Sequence, residues 1–214
     1  MKKLKLERVK ERDFMGNIVI TVSREYGSGG RLIARRVAEQ LNIPFYDKEI
    51  IAAVAKKTGL AEGFIREAER RPVRSFLFDL YRSAQNLSLS DQVFLAETAV
   101  IRDLAEKGSC VIVGRCADYV LREREDLLRV FVHAPLSRRC RRAAEEYGVR
   151  DVEDLEGYVS KLDKQRSSYY NYFSTSRWGD AHNYELCVNS ELGVEQTAEL
   201  ICQAARGREG GGHG

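Results

Sequence analysis

The stretch from Asn17 to Asp47, NIVITVSREYGSGGRLIARRVAEQLNIPFYD, constrains the fold of this chain more than any other. It opens with Ile18-Val19-Ile20-Thr21-Val22, a short β-branched run bounded by polar residues, which predicts a buried parallel strand. Gly27-Ser28-Gly29-Gly30 follows as a glycine loop. Ile33, Val37 and Leu41 then recur on one stripe, with Arg35, Arg36 and Gln40 off it, which predicts a helix closed by Asn42. Ile43-Pro44-Phe45-Tyr46 begins a second strand. Strand, glycine loop, helix and strand make a βαβ unit suited to phosphate. Glycines let backbone N–H groups converge on an anion, and a helix N-terminus adds about half a positive charge.

The loop departs from the usual phosphate-binding pattern of Gly, four residues, Gly, Lys, then Ser or Thr. If Gly29 is the second glycine of that pattern, Arg24 stands for the first, Gly30 for the lysine and Arg31 for the Ser/Thr. One residue further on, Arg31 stands for the lysine and Leu32 for the Ser/Thr. Neither register supplies every part, and a glycine-rich turn without a ligand is the bland alternative. For a bound phosphate, the loop from Gly27 onward offers the amides of Ser28, Gly29, Gly30 and Arg31, and Arg31 or Arg24 offers the cation. Arg31 is the expected one: it lies in the first helical turn, where a loop lysine sits within one residue, whereas Arg24 would have to fold back over the glycines.

With 214 residues, the chain is long enough for one α/β domain with a real core. Its 43% hydrophobic and 31% charged residues fit a globular chain, and a formal net charge of only +3 leaves no overall nucleic-acid footprint. No apolar run approaches the roughly 18 residues of a membrane span, and the basic stretch Met1 to Phe14 lacks the apolar core of a secretory signal. The five cysteines are scattered without a Cys-x-x-Cys, which fits a reducing cytoplasm without zinc or disulfides; Cys110, Cys187 and Cys202, set among apolar residues, are expected in the core.

Along the chain, residues 1–16 form a charged leader. A helix is expected over Lys48 to Lys57, with Thr58-Gly59 as its cap. Short helical patterns around Phe64-Ile65 and Phe76 to Tyr81, broken near Pro72, make a small helical insertion. A long helix spans Ser90 to Lys107, with Phe94, Ile101 and Leu104 on one face. Cys110 to Val113 is a third buried strand ending at Gly114-Arg115, Asp118 to Arg122 a short helical piece, and Leu127 to His133 a fourth strand. Pro135 begins a helix rich in arginine, a second helix runs from about Val152 to Phe173, Tyr184 to Val188 is a fifth strand, and Val194 to Ala205 closes the domain. The Gly-rich tail, 207–214, is expected to be disordered. Strands alternating with helices predict a three-layer α/β sandwich with a parallel sheet and ligands outside the carboxyl ends of its strands. The loop at 24–31, Asp47 and Gly114-Arg115 all fall at those ends.

The segments SREYGSGGRLIARRVAEQL, PFYDKEII, VIVGRCADYVL, RVFVHAPLSRRCRR and DKQRSSYYNYF, followed by WGD and YELCVNSELGVEQTAELI, together resemble the cytidylate kinase-like family of P-loop nucleoside monophosphate kinases over roughly residues 17 to 204. The resemblance implies a P-loop NTPase fold with a five-stranded parallel sheet in one domain over 17–206. It also implies a nucleoside-monophosphate-binding helical insertion at about 58–107 and an Arg-rich lid at about 138–180. The implied activity is transfer of a phosphoryl group from ATP, with Mg²⁺, to CMP or dCMP. The partners implied are small-molecule nucleotides, without nucleic acid or membrane.

Phosphoryl transfer is mostly positioning and charge neutralisation, so arginines at the ligand edge are the candidates for catalysis. Arg31 is one. Arg115 matches the family position that grips the acceptor phosphate. Asp47 lies where the resembling kinases carry an acidic residue near the acceptor or the metal, or it caps the helix that follows. Asp118 binds the base or sugar, or starts a helix. Arg166 falls on the apolar stripe of its helix (Leu155, Val159, Leu162, Tyr169, Phe173), where a bare charge is costly without a partner; a phosphate or Asp163 would serve. After Pro135, Leu136 and Cys140 mark the buried face and Arg138 and Arg142 share the adjacent one, so either could reach the site. Two other functions compete. The absent loop lysine suits a non-catalytic nucleotide-binding or regulatory protein. A dinucleotide-binding oxidoreductase could use Asp47, 20 residues after Gly27, on a ribose, but its Gly-x-Gly-x-x-Gly would need a glycine where Leu32 stands.

Overall fold

The computed structural model describes residues 17–70 and 88–209. The charged leader at 1–16, the helical pattern around Phe76 to Tyr81 with the break near Pro72, and the end at 210–214 lie outside the described residues. Five parallel strands, β1 (Val19–Arg24), β2 (Phe45–Tyr46), β3 (Cys110–Val113), β4 (Leu127–His133) and β5 (Leu186–Asn189), form one sheet in the order β2-β3-β1-β4-β5. β1 is central, aligned Val19↔Cys110 with β3 and Val19↔Leu127 with β4. From β1 the chain crosses to the edge strand β2, returns to place β3 beside β1, and then adds β4 and β5 on the other side, so the carboxyl end of β1 is the switch point where such sheets open a crevice.

The side chains of β1 alternate between two cores. Ile18, Ile20 and Val22 pack under α1 (Gly30–Leu41) and the closing helix α8 (Val194–Glu209), where Ile33, Val37, Leu41 and Ile201 meet them. Val19 faces the other layer, made by α2 (Lys48–Thr58), α3 (Glu62–Arg70), α4 (Leu89–Glu106) and α5 (Ala117–Val120). α6 (Leu136–Glu145) and α7 (Leu155–Phe173) pack on each other through Cys140, Ala143 and Val159, with Tyr26 of the glycine loop against them. Asn42 and Gly59 close α1 and α2 in the left-handed conformation at φ 52° and 73°, as the sequence predicts.

Three expectations shift. The helix expected from Val152 starts at Leu155, because the Asp154 side chain accepts from the Gly157 N–H at 2.8 Å and caps it there. α8 runs on to Glu209 through Gly207, into the expected tail. Cys187 is exposed: it sits on β5, the edge strand, whereas Cys110 and Cys202 are in the core as expected.

Candidate functional site

The site begins where β1 ends. Beyond Arg24 the chain turns through Glu25 and Tyr26 into two glycines in the left-handed conformation, Gly27 (φ 78°) and Gly29 (φ 80°), and Gly30 opens α1. Gly27 also meets a steric need, whereas Gly29 borders only the flexible end of a side chain. A methyl on Gly27 would lie 2.4 Å from the Arg139 carbonyl oxygen, and one on Gly29 would lie 2.9 Å from Arg142 Nη1. α6 therefore braces the loop directly: Arg142 donates to the Gly27 carbonyl at 3.0 Å and Arg139 to the Tyr26 carbonyl at 3.2 Å. The loop also holds itself. Ser28 donates its hydroxyl to the Glu25 carbonyl at 2.9 Å and accepts from the Gly30 N–H at 3.3 Å, while its own N–H goes to Glu25. Two of the four amides expected to face an anion, those of Ser28 and Gly30, are thus engaged inside the loop. Among the described residues, those of Gly29 and Arg31 have no such bond.

Beside the loop opens a cavity of about 600 Å³, walled by β1, the β2–α2 junction, α3, the β3–α5 turn and α7. Eight cationic residues line it against two acidic ones, Asp47 and Glu69. The whole chain carries a net charge of only +3, so positive charge is concentrated here, and a cleft so lined favours a polyanion.

Arg115 reaches the cavity from an unusual turn. Gly114, Arg115 and Cys116 have φ of 72°, 56° and 54°, two of them non-glycine residues in a region that costs about 1–2 kcal/mol each. The turn lays the guanidinium among three carboxylates: Nε is 2.9 Å from Glu69 and 3.4 Å from Glu97, and Nη1 is 3.6 Å from Asp47. Burial alone would push this guanidinium down, but the three carboxylates hold it above its ordinary value. Glu97 is 0% exposed and accepts from the Tyr169 hydroxyl at 2.7 Å. Its burial, next to the charge of Glu69, raises its pKa well above the ordinary carboxylate range.

The other arginines fall into two kinds. Arg31 lines the cavity, yet its Nε lies 2.5 Å from Asp47 and its charge is already met; it is not the free loop cation expected from the sequence. Asp47 is committed to Arg31 and Arg115 and makes no side-chain cap on α2. Arg24 differs. Among the described residues no carboxylate lies within 4 Å of its guanidinium, and burial, then repulsion from Arg166, lowers its pKa to about 9. Arg166 reaches in from α7, donates to the Arg24 carbonyl at 3.1 Å, lies over the Tyr26 ring and is 3.9 Å from Asp163. Its pKa too is lowered by burial, against the pull of Asp163.

Several expected residues stand elsewhere. Arg138 is largely exposed and 3.8 Å from Glu191, and Arg142 is the loop brace; neither lines the cavity. Asp118 is buried, accepts from the Tyr170 hydroxyl at 2.8 Å and does not line the cavity either. The residues the sequence analysis passed over are Glu69, Glu97 and Arg139. Arg139 is the buried arginine of α6, joined to Asp163 at 2.5 Å and Glu25 at 3.2 Å. A periodic signal existed for two of them. Glu97 is three residues after Phe94 and four before Ile101, and Arg139 is three after Leu136 and four before Ala143, so both lie on apolar stripes.

Comparison with known proteins agrees with this geometry. The model of the cytidylate kinase-like family matches residues 19–192. An uncharacterized protein from Eubacterium ventriosum ATCC 27560 is 28% identical, with a TM-score of 0.68 over 88% of this chain and 98% of its own. A shikimate kinase from Acinetobacter baumannii, in complex with shikimate, shares the fold at 17% identity and a TM-score of 0.52 over 90% of this chain and 94% of its own. A gluconokinase from Sinorhizobium meliloti 1021 does so at 16% identity and a TM-score of 0.52 over 94% and 100%. No curated protein sequence matches this chain. The five-stranded parallel sheet between helices is the P-loop NTPase fold of kinases, and the chain belongs to the cytidylate kinase-like family.

Proposed function

We propose that this protein transfers the terminal phosphoryl group of ATP to a nucleoside monophosphate, CMP or dCMP. One observation carries the proposal: eight cationic side chains meet around one cavity at the carboxyl edge of the sheet, beside the glycine loop whose flanking residues Tyr26 and Arg31 line it. The transferring group and both nucleotides carry phosphate charge, and such catalysis consists largely of offsetting it in a fixed geometry. The loop and the start of α1 hold the ATP phosphates, with the amides of Gly29 and Arg31 turned to them. Arg115 and Asp47, on the side of the helical insertion made by α3 and α4, take the acceptor. Arg166, from a lid made by α6 and α7, meets the group in transit. Small-molecule nucleotides are the only partners this scheme needs, and the cytoplasm is where it operates. No helix among the described residues is long and apolar enough to cross a membrane.

A Mg²⁺ ion bound with ATP would supply further charge neutralisation here. Mg²⁺ takes one or two carboxylates and fills its shell with water and phosphate oxygens. Asp47 and Glu69, the two carboxylates that line the cavity, would fit that need without the group of three or more acidic, His or Cys ligands that is absent among the described residues.

Gly30, in one register of the loop, stands where a lysine is usual, and this favours the second reading, a nucleotide-binding protein without turnover. ADP release from ATP and Mg²⁺ with each nucleoside monophosphate in turn separates the two. The proposal expects release stimulated by CMP or dCMP above AMP, GMP or dTMP. ATP binding without any stimulated release leaves the non-catalytic reading; release indifferent to the monophosphate contradicts both acceptor and mechanism.

A further inference from the structure

We infer that the loop cation has moved from the helix to the strand: Arg24 does the work of the missing lysine, and Gly30 is a glycine because Arg24 occupies its side-chain space. The inference rests on the proposed donor-phosphate role of the loop.

Gly30 is the starting point. It opens α1 without positive φ, so no backbone conformation asks for glycine. Space explains it. A methyl at position 30 would lie 2.6 Å from Arg24 Cβ and 3.1 Å from Cγ, with Val132 Cβ at 3.2 Å on the other side. The stem of Arg24 thus runs where a side chain at position 30 would begin. Its guanidinium then continues over Gly114, whose added methyl would fall only 2.0 Å from Arg24 Nη1. Gly30 thus makes room for the stem of this arginine, while Gly114, favoured as glycine by its φ of 72°, leaves space for its guanidinium.

Within that slot the charge has no close ion-pair partner among the described residues, and Asp47 and Glu69 attract it only from beyond 4 Å. Arg31 has Asp47, Arg115 has three carboxylates and Arg139 has Asp163 and Glu25, whereas Arg24 has no carboxylate within 4 Å among the described residues and faces the like charge of Arg166. Protein interiors do not keep an unpaired cation at no cost. A group that neutralises it must come from the cavity it lines, and the β- and γ-phosphates of ATP are of that class. Fork geometry lets one guanidinium bond two phosphate oxygens at once.

The test reads ligand-induced thermal stabilisation by inorganic tripolyphosphate and by ATP, which needs no turnover. Arg24→Met keeps the stem and drops the charge. It should abolish the tripolyphosphate shift, weaken ATP binding by about tenfold or more, and raise the melting temperature of the ligand-free protein, which a merely structural arginine would not do. Arg24→Lys should keep part of the shift and Arg31→Met most of it. Gly30→Ala should reproduce the loss of Arg24→Met by displacing the arginine, and the double variant Arg24→Gly/Gly30→Lys should regain binding that Arg24→Gly lacks. Loss of the shift in Arg31→Met with retention in Arg24→Met overturns the inference. Equal ATP stabilisation of all variants also overturns it while leaving the donor-phosphate reading intact; absence of any shift in the wild type removes both.

Discussion

A carboxyl group with no exposed surface, 3.4 Å from a guanidinium and beside a second carboxylate, is protonated or paired; Glu97 is placed to be either. Its raised pKa sets the sign of its effect. The contribution to stability is fully present below the ordinary carboxyl value of 4.5 and is lost as pH rises through the higher folded value. Glu97→Gln keeps a partner for Tyr169 and removes the titration. Thermal melts between pH 5 and 9 should therefore show a flatter profile for Glu97→Gln and at least wild-type stability at neutral pH; an unchanged slope, or a lower melting temperature at pH 7, contradicts this. At this scale the sequence is half legible. Period singled out Arg166 as a charge on an apolar face, and the same signal marked Glu97 and Arg139. What it does not contain is the partner: Glu97 meets Tyr169 across 72 residues and Arg139 meets Asp163 across 24, and only the packing of α4 and α6 on α7 decides such pairs.

Among the elements, α7 carries the clearest division of labour. Its Asp163 faces the loop and α6, accepting from the Tyr26 N–H at 2.6 Å and pairing with Arg139. One turn on, Arg166 faces the cavity, where its partners among the described residues are the Arg24 carbonyl, the Tyr26 ring and Asp163 at 3.9 Å. Arg166→Ala should therefore lower kcat by about 10²–10³-fold, as for a lost transition-state donor, while moving the melting temperature by no more than a few degrees. A large loss of stability with activity per folded molecule retained would make Arg166 a structural residue. The elements themselves were readable because each rests on local chemistry: β-branched runs for β1 and β3, a 3.6-residue stripe for α1, left-handed Asn42 and Gly59 for helix ends. Reading failed where a single residue was given too much weight. Gly207 costs a helix about 1 kcal/mol, which does not end α8. The place of Arg31 in the first turn says nothing of its partner, and the structure pairs it with Asp47.

For the whole molecule, distribution matters more than sum. A net charge of +3 over 214 residues excludes little, yet the fold gathers eight cations around a single cavity at the switch point of the sheet. Sequence order predicted that edge, because parallel strands joined by helices bring β1, β2 and β3 to one rim; α7 closes the cavity from far along the chain, and α3 and α4 add Glu69 and Glu97 to Asp47 in the carboxylate cage around Arg115. The central claim is that a phosphoryl group crosses this cavity from ATP to a cytidine monophosphate. Incubation with γ-labelled ATP, Mg²⁺ and CMP or dCMP, followed by separation of the nucleotides, tests it directly. The label should appear in CDP or dCDP; label found only in inorganic phosphate, or remaining in ATP under conditions where ATP binds, would contradict it.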